Sequence, residues 1–183
     1  MNAIELMIEE HKNIKRMLKV IRGYCYKVLK NENVDYNDFY KIIDFVRNYA
    51  DKHHHSKEEN ILFTIMDRQF NMIKSGPIMG MLIEHDMGRL YMQNLENALK
   101  ELEGGNEEAK LDIIANAISY TDLLNRHIDK EDSTIYKFAD RSLSEENKKE
   151  LNDKSKEIEN IAKDNSVQDR YIKLIEELES KII

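Results

Sequence analysis

The sequence predicts an all-α protein, an up-down-up-down four-helix bundle with one or two additional C-terminal helices. Three observations predict this class. Apolar residues recur at steps of three, four or seven along almost the whole chain. Breakers are scarce, with one proline and six glycines in 183 residues. The long periodic stretches are joined by short turn-forming segments, which favour antiparallel neighbours.

The first helix places Ile4, Met7, Ile8, His11, Ile14, Leu18, Ile21 and Leu29 on one stripe, and "NENVDYND" ends it. A second helix starts near Asp35–Asp38 and runs to about Ile73 through Ile42, Val46, Ala50, Ile61 and Ile65. "KSGP" then provides a stop at Gly76 and a restart at Pro77. The third helix covers about Pro77 to Leu102, with Ile78, Met81, Leu82, His85, Leu95 and Leu99 inward, and "EGGNEE" closes it. The fourth covers roughly residues 106–139 through Leu111, Ile114, Ile118, Leu124 and Ile135.

After Asp140 the chain becomes highly charged, opening with a capping box from Ser142 to Glu145. Residues 1–140 are therefore read as one bundle domain. Residues 141–183 are read as a helical extension, packed on the bundle or used in a homodimer.

Composition narrows the function. The net charge of −7, spread evenly, argues against nucleic acid or an anionic membrane as partner. The single cysteine, Cys25, excludes a disulfide framework and any thiolate metal cluster within one chain. The N-terminus lacks the basic and apolar regions of a signal peptide, and no apolar run approaches the roughly 20 residues that span a bilayer. A soluble cytoplasmic protein is expected.

The chemistry lies in the histidines. Three are adjacent in "DKHHHSKEENILF", and they cannot all face one way on an α-helix. The helical row through His54 is mostly apolar and brings Glu58 onto the same face one turn later. The row through His55 passes Asp44, Asn48 and Glu59 and reads as a wet face, while that through His53 meets Lys57 and Asn60. His54 is therefore expected inward. His11, His85 and His127 each sit on the apolar stripe of a different helix, and "RHIDKEDSTIY" repeats the His-x-x-x-Glu pair as His127 and Glu131.

The two halves correspond. His11 to His54 spans 43 residues and His85 to His127 spans 42, so each hairpin gives one lone histidine and one His-x-x-x-Glu. Burying two unpaired carboxylates would cost on the order of several kcal/mol each, and a bound cation supplies the counter-charge. Six ligands are too many for one tetrahedral zinc and too rich in nitrogen for calcium. Two metals bridged by both carboxylates use every ligand, and imidazole with carboxylate suits iron ahead of manganese or zinc. A ferritin-type site would need Glu-x-x-His, but the residues three before His54, His85 and His127 are Asp51, Leu82 and Leu124. Tyr49 and Tyr120 lie one to two turns before His54 and His127, where a phenol could donate to the ligands.

These motifs resemble the hemerythrin-like HHE cation-binding domain. The resemblance is carried by "EEHKNI", "HHSKEENILF", "IEHDMGR" and "HIDKEDSTIY" and covers residues 4–140. It implies a four-helix bundle holding a non-haem di-iron centre with an oxo or hydroxo bridge. His11 and His54 would bind one iron, His85 and His127 the other, with Glu58 and Glu131 bridging. Oxygen carriers of the family have a further histidine four residues after the third-helix ligand; here that position is Arg89, and its counterpart after His11 is Lys15. The carriers also use aspartate five residues after the last histidine, whereas Glu131 is four after. The chain thus resembles the iron–sulfur cluster repair di-iron proteins more closely than the carriers.

The expected activity is reaction with, or sensing of, oxygen, hydrogen peroxide or nitric oxide. Detoxification is the enzymatic form, and an iron or oxygen sensor without turnover is the alternative. Both irons would keep an open position, Arg89 could reach toward a bound anion, and a redox partner protein is implied.

Overall fold

The computed structural model describes residues 1–72 and 76–182, and every regular element among them is helical. Helix α1 is Ala3–Leu29. Helix α2 spans residues 37–70, beginning as an α-helix over Asn37–Phe45 and ending as one over Phe63–Phe70. Between them lie wide π-helical turns at Val46–His55 and Glu58–Leu62. Helix α3 is Pro77–Glu103. Helix α4 spans residues 109–142, with one π-helical turn at Glu131–Ile135. Helices α5, Glu145–Asp164, and α6, Val167–Ser180, form the extension.

The caps explain most boundaries. Asn2 accepts from the Glu5 amide while Glu5 reaches back to the Asn2 amide, a reciprocal cap on α1. Helix α2 stops at Phe70, where Asn71 takes the left-handed conformation (φ 53°). The expected end at Ile73 lies outside the described residues. Gly76 precedes Pro77 in extended conformation, and a Cβ there would come within 2.5 Å of the Met72 carbonyl oxygen. Only glycine fits that approach.

The expected capping box at Ser142 is not formed. Ser142 belongs to the last turn of α4, and Ser144 caps α5 by accepting from the Asn147 amide. Leu29 is 71% exposed, because α1 ends there and Val28 takes the inward place. Leu111 is also exposed: α4 starts at Ala109, and its inward row runs Ile113, Ala117, Tyr120, Leu124. Ile8, Leu82, Ile114 and Ile118 are half-buried at the edges of their stripes.

Side-chain pairs tie neighbouring helices together. Tyr24 meets Asp38 and Asn13 meets Tyr49 between α1 and α2. Arg47 meets Glu96 and Asp51 meets Arg89 between α2 and α3. His85 meets His127 between α3 and α4, where a Cβ on Gly88 would already touch Leu124 and Tyr120. Lys15 meets Asp129 between α1 and α4.

The apolar interior is divided in two. One cluster contains Ile14, Ile21, Ala50, Met92, Leu95 and Leu124, and the other contains Met7, Ile61, Ile65, Met81 and Ile135. Each of the four long helices passes from one cluster to the other at its histidine or glutamate: Met7–His11–Ile14, Ala50–His54–Ile61, Met81–His85–Met92 and Ile128–Glu131–Ile135. A polar layer is thus sealed between two apolar ones. The extension packs outside, with Tyr171, Ile175 and Leu178 of α6 joining the larger cluster and Leu151 of α5 the smaller.

Candidate metal centre

The polar layer contains His11, His54, His55, Glu58, His85, His127 and Glu131, none more than 5% exposed. They form two groups in which the possible ligand atoms lie within 4.8 Å of one another. His11, His54, Glu58 and Glu131 make one; His55, Glu58, His85 and His127 make the other.

Both glutamates extend across the layer. Glu58 Oε2 stands 3.7 Å from His54 Nε2 and 3.5 Å from His85 Nε2. Glu131 Oε2 stands 3.4 Å from His11 Nε2, and its Oε1 stands 3.0 Å from His127 Nε2. His11 Nε2, His54 Nε2, Glu58 Oε2 and both Glu131 oxygens are buried without a hydrogen-bond partner. Unsatisfied buried acceptors of this number are costly unless an additional group joins them. Nitrogen and carboxylate donors converging on two points fit a pair of cations.

Each of the five rings is held from behind by its Nδ1. His11 bonds Asp132 at 2.7 Å, His54 bonds Glu10 at 2.7 Å, and His85 bonds Glu59 at 2.7 Å. His127 bonds Glu84 at 2.8 Å and His55 bonds Asp51 at 3.3 Å. An Nδ1–H donated outward fixes the tautomer that leaves the Nε2 lone pair facing the centre. Cations in turn hold several of these carboxylates. Arg89 bridges Asp51 and Glu59 at 2.6 Å each, Lys130 bonds Glu84, and Lys57 bonds Glu10.

Charge follows the same geometry. Burial lowers the His54, His55 and His85 rings to about 4, assisted by the neighbouring imidazolium charge. Burial also opposes a charge on His11, but Asp132 and Glu131 raise it to about 9. Burial, then the Glu131 carboxylate, pushes Glu58 well above the usual range. Glu131 is held well below that range, because His127 and His11 outweigh its own burial. Two enclosed carboxylates cannot both carry charge without added positive charge between them.

His55 is the main correction to the sequence reading. It is not on a wet face; it is 5% exposed, and its ring stacks on His85 with centroids 3.8 Å apart. The α-helical row assumed one fixed turn, whereas α2 is π-helical from Val46 to His55. In those wider i→i+5 turns consecutive residues are separated by a smaller angle, so His54 and His55 both point inward. Glu59, read as part of the same wet face, holds His85. His53 is buried as well, but it points to Glu10 rather than to the centre.

The tyrosines divide differently from expectation. Tyr49 accepts from Asn13 Nδ2 at 2.9 Å and lies against His53, away from the ligand atoms. The Tyr120 hydroxyl is buried without a partner. Its ring lines a cavity of about 190 Å³ together with Asp51, His55, His85, Gly88 and Arg89. Tyr136, not anticipated, donates to Glu58 Oε1 and stacks on His11. Arg89 turns toward Asp51, Glu59 and Asp86, not toward the centre.

The missed carboxylates had a signal. Glu10 precedes His11 as Glu84 precedes His85, and Glu59 follows Glu58 as Asp132 follows Glu131. The internal repeat therefore extends to the residues behind the buried histidines.

A helical bundle enclosing histidine and glutamate clusters of this kind defines a metal-binding module. The family model of the hemerythrin HHE cation binding domain matches residues 2–139, and the chain belongs to that family. No curated protein and no solved structure matches the chain. Among the described residues no helix is long and apolar enough to cross a membrane.

Proposed function

We propose that this chain is a non-haem di-iron protein that reacts with a small oxidant such as oxygen, hydrogen peroxide or nitric oxide. The irons would sit at the middle of an up-down-up-down four-helix bundle, bridged by Glu58 and Glu131. His11 and His54 would hold one; His85 and His127, joined by His55, would hold the other. The observation that carries the reading is the pair of four-residue groups sharing Glu58, with five ligand atoms otherwise unpartnered. Imidazole and carboxylate donors without thiolate favour iron, with manganese or zinc as the competing ions.

His55 changes the balance expected from the family motif alone. Three imidazoles at one end and two at the other leave the His11/His54 end with fewer ligands. Iron would supply electron transfer to the oxidant. The protein's own part is to keep five Nε2 lone pairs aimed inward and to exclude bulk water by the two apolar clusters. The cavity beside His55 and His85, lined also by the ring of Tyr120, supports the small-molecule reading.

A sensing module without turnover is favoured by a different observation. The polar layer separates the two apolar clusters, so metal occupancy would set how firmly they are joined.

Metal analysis of protein produced with iron tests the centre: two irons per chain are expected, and a single zinc would overturn it. Mixing the reduced protein with oxygen or peroxide in a stopped flow tests the chemistry. Repeated turnover supports the enzyme, whereas binding or a single oxidation supports the sensor.

A further inference from the structure

Lys57 is fully buried, although it is three residues after His54 on a helix otherwise facing a metal-ligand layer. Its ammonium lies among three groups. It donates to Glu10 Oε1 of α1, to Glu159 Oε1 of α5 at 2.5 Å, and to His53 Nε2 at 3.3 Å. Glu10, His53 and Glu159 are themselves close enough to hold a cation, and the ammonium occupies that place. Glu159 is fixed from its other oxygen by Gln168 of α6 at 2.8 Å. Glu10 uses its second oxygen to hold His54 Nδ1 at 2.7 Å. A continuous polar chain therefore runs Gln168–Glu159–Lys57–Glu10–His54. It starts in the extension, outside the matched residues 2–139, and ends at a candidate ligand.

The other half of the molecule provides an internal comparison. Lys130, three residues after His127, bonds Glu84, and Glu84 holds His127 Nδ1. The relay is the same but stops there, and the Lys130 side chain is 45% exposed. What distinguishes Lys57 is that α5 covers it and brings a second carboxylate. A buried ammonium shared between two carboxylates is tightly positioned, and it positions both in return.

We propose that the C-terminal extension is part of the metal centre: Glu159 is a positioning residue that, through Lys57 and Glu10, orients His54 and strengthens metal retention at the His11/His54 end. The proposal rests on the di-metal reading above.

The test uses full-length, metal-loaded protein and measures release of each ion to a chelator in excess. Glu159→Gln is expected to speed release of one of the two ions about tenfold, as loss of an outer hydrogen-bond partner does at other metal sites. Gln168→Leu, which frees Glu159 without removing charge, should act in the same direction and more weakly. Glu179→Gln is the control. It removes another tie between the extension and α1, the paired bonds to Arg16 at 2.9 and 2.7 Å, but touches nothing in the relay. It should leave both release rates unchanged. Equal release from Glu159→Gln, Glu179→Gln and the unaltered protein would overturn the proposal while leaving the metal centre intact. An unaltered protein that holds no metal would overturn the di-metal reading and this proposal with it.

Discussion

At the scale of single residues, the centre depends on which atom of each side chain faces inward. His55 is the sharpest case, because its α-helical row places it in water and the observed backbone places it against His85. His55→Ala is expected to lower metal content and change the absorption spectrum as strongly as His54→Ala. A spectrum indistinguishable from that of the unaltered protein would return His55 to a packing role. Tyr136 is the second case. Burial and Glu58 keep it a neutral phenol, so it donates to one Glu58 oxygen and leaves the other for the centre. Tyr136→Phe should weaken metal affinity roughly 10–100-fold, the usual effect of losing an outer partner. Competition with a calibrated chelator measures it.

Among the elements, α2 and α4 carry the unusual backbone, and in both helices a π-helical turn begins at a buried glutamate of the polar layer, at Glu58 in α2 and at Glu131 in α4. Wide turns concentrate at functional sites because they re-aim side chains that a regular helix would fan out. The boundary between α4 and α5 gives a plain stability test. Ser144→Ala removes the side-chain cap of α5 and should cost about 1 kcal/mol. Ser142→Ala, at the position the sequence pattern favours, should stay within about 0.5 kcal/mol. Chemical unfolding of the two variants side by side decides between the two serines.

For the whole molecule, stability and metal binding are linked through the buried rings. His54, His55 and His85 are lowered to about 4 from an ordinary 6.5, so as pH falls below about 6.5 the unfolded chain takes up protons that the folded rings refuse. That contribution to stability is present above 6.5 and is lost as pH drops toward 4. His11, raised to about 9, and His127, also raised, work in the opposite sense. Their contribution is full below 6.5 and is lost as pH rises toward 9. For chelator-treated protein these rings therefore place maximum stability near neutrality, falling on both sides, as thermal unfolding across pH 4 to 9 would show. Metal bound at His11 and His127 would displace their protons, so loading should raise Tm and release protons into a weakly buffered solution. No proton release at pH 7 would contradict the assignment of His11 as a ligand.

Much of this was legible in the sequence for a physical reason: helical periodicity and internal repetition are local properties. The stripe through His11, the restart at Pro77 and the two His-x-x-x-Glu pairs need only a constant turn per residue and a count of spacings. The layer they form, and membership in the HHE family, follow from that pattern. The sequence alone could not determine where the turn ceases to be constant. His55 and Glu59 fall on a wet face only if α2 keeps a regular α-helical turn, and a count of spacings does not register its π-helical turns. Nor could it show that Lys57, charged and three residues from His54, is buried. That depends on a carboxylate from α5 about a hundred residues away, which only the folded extension brings to the ammonium.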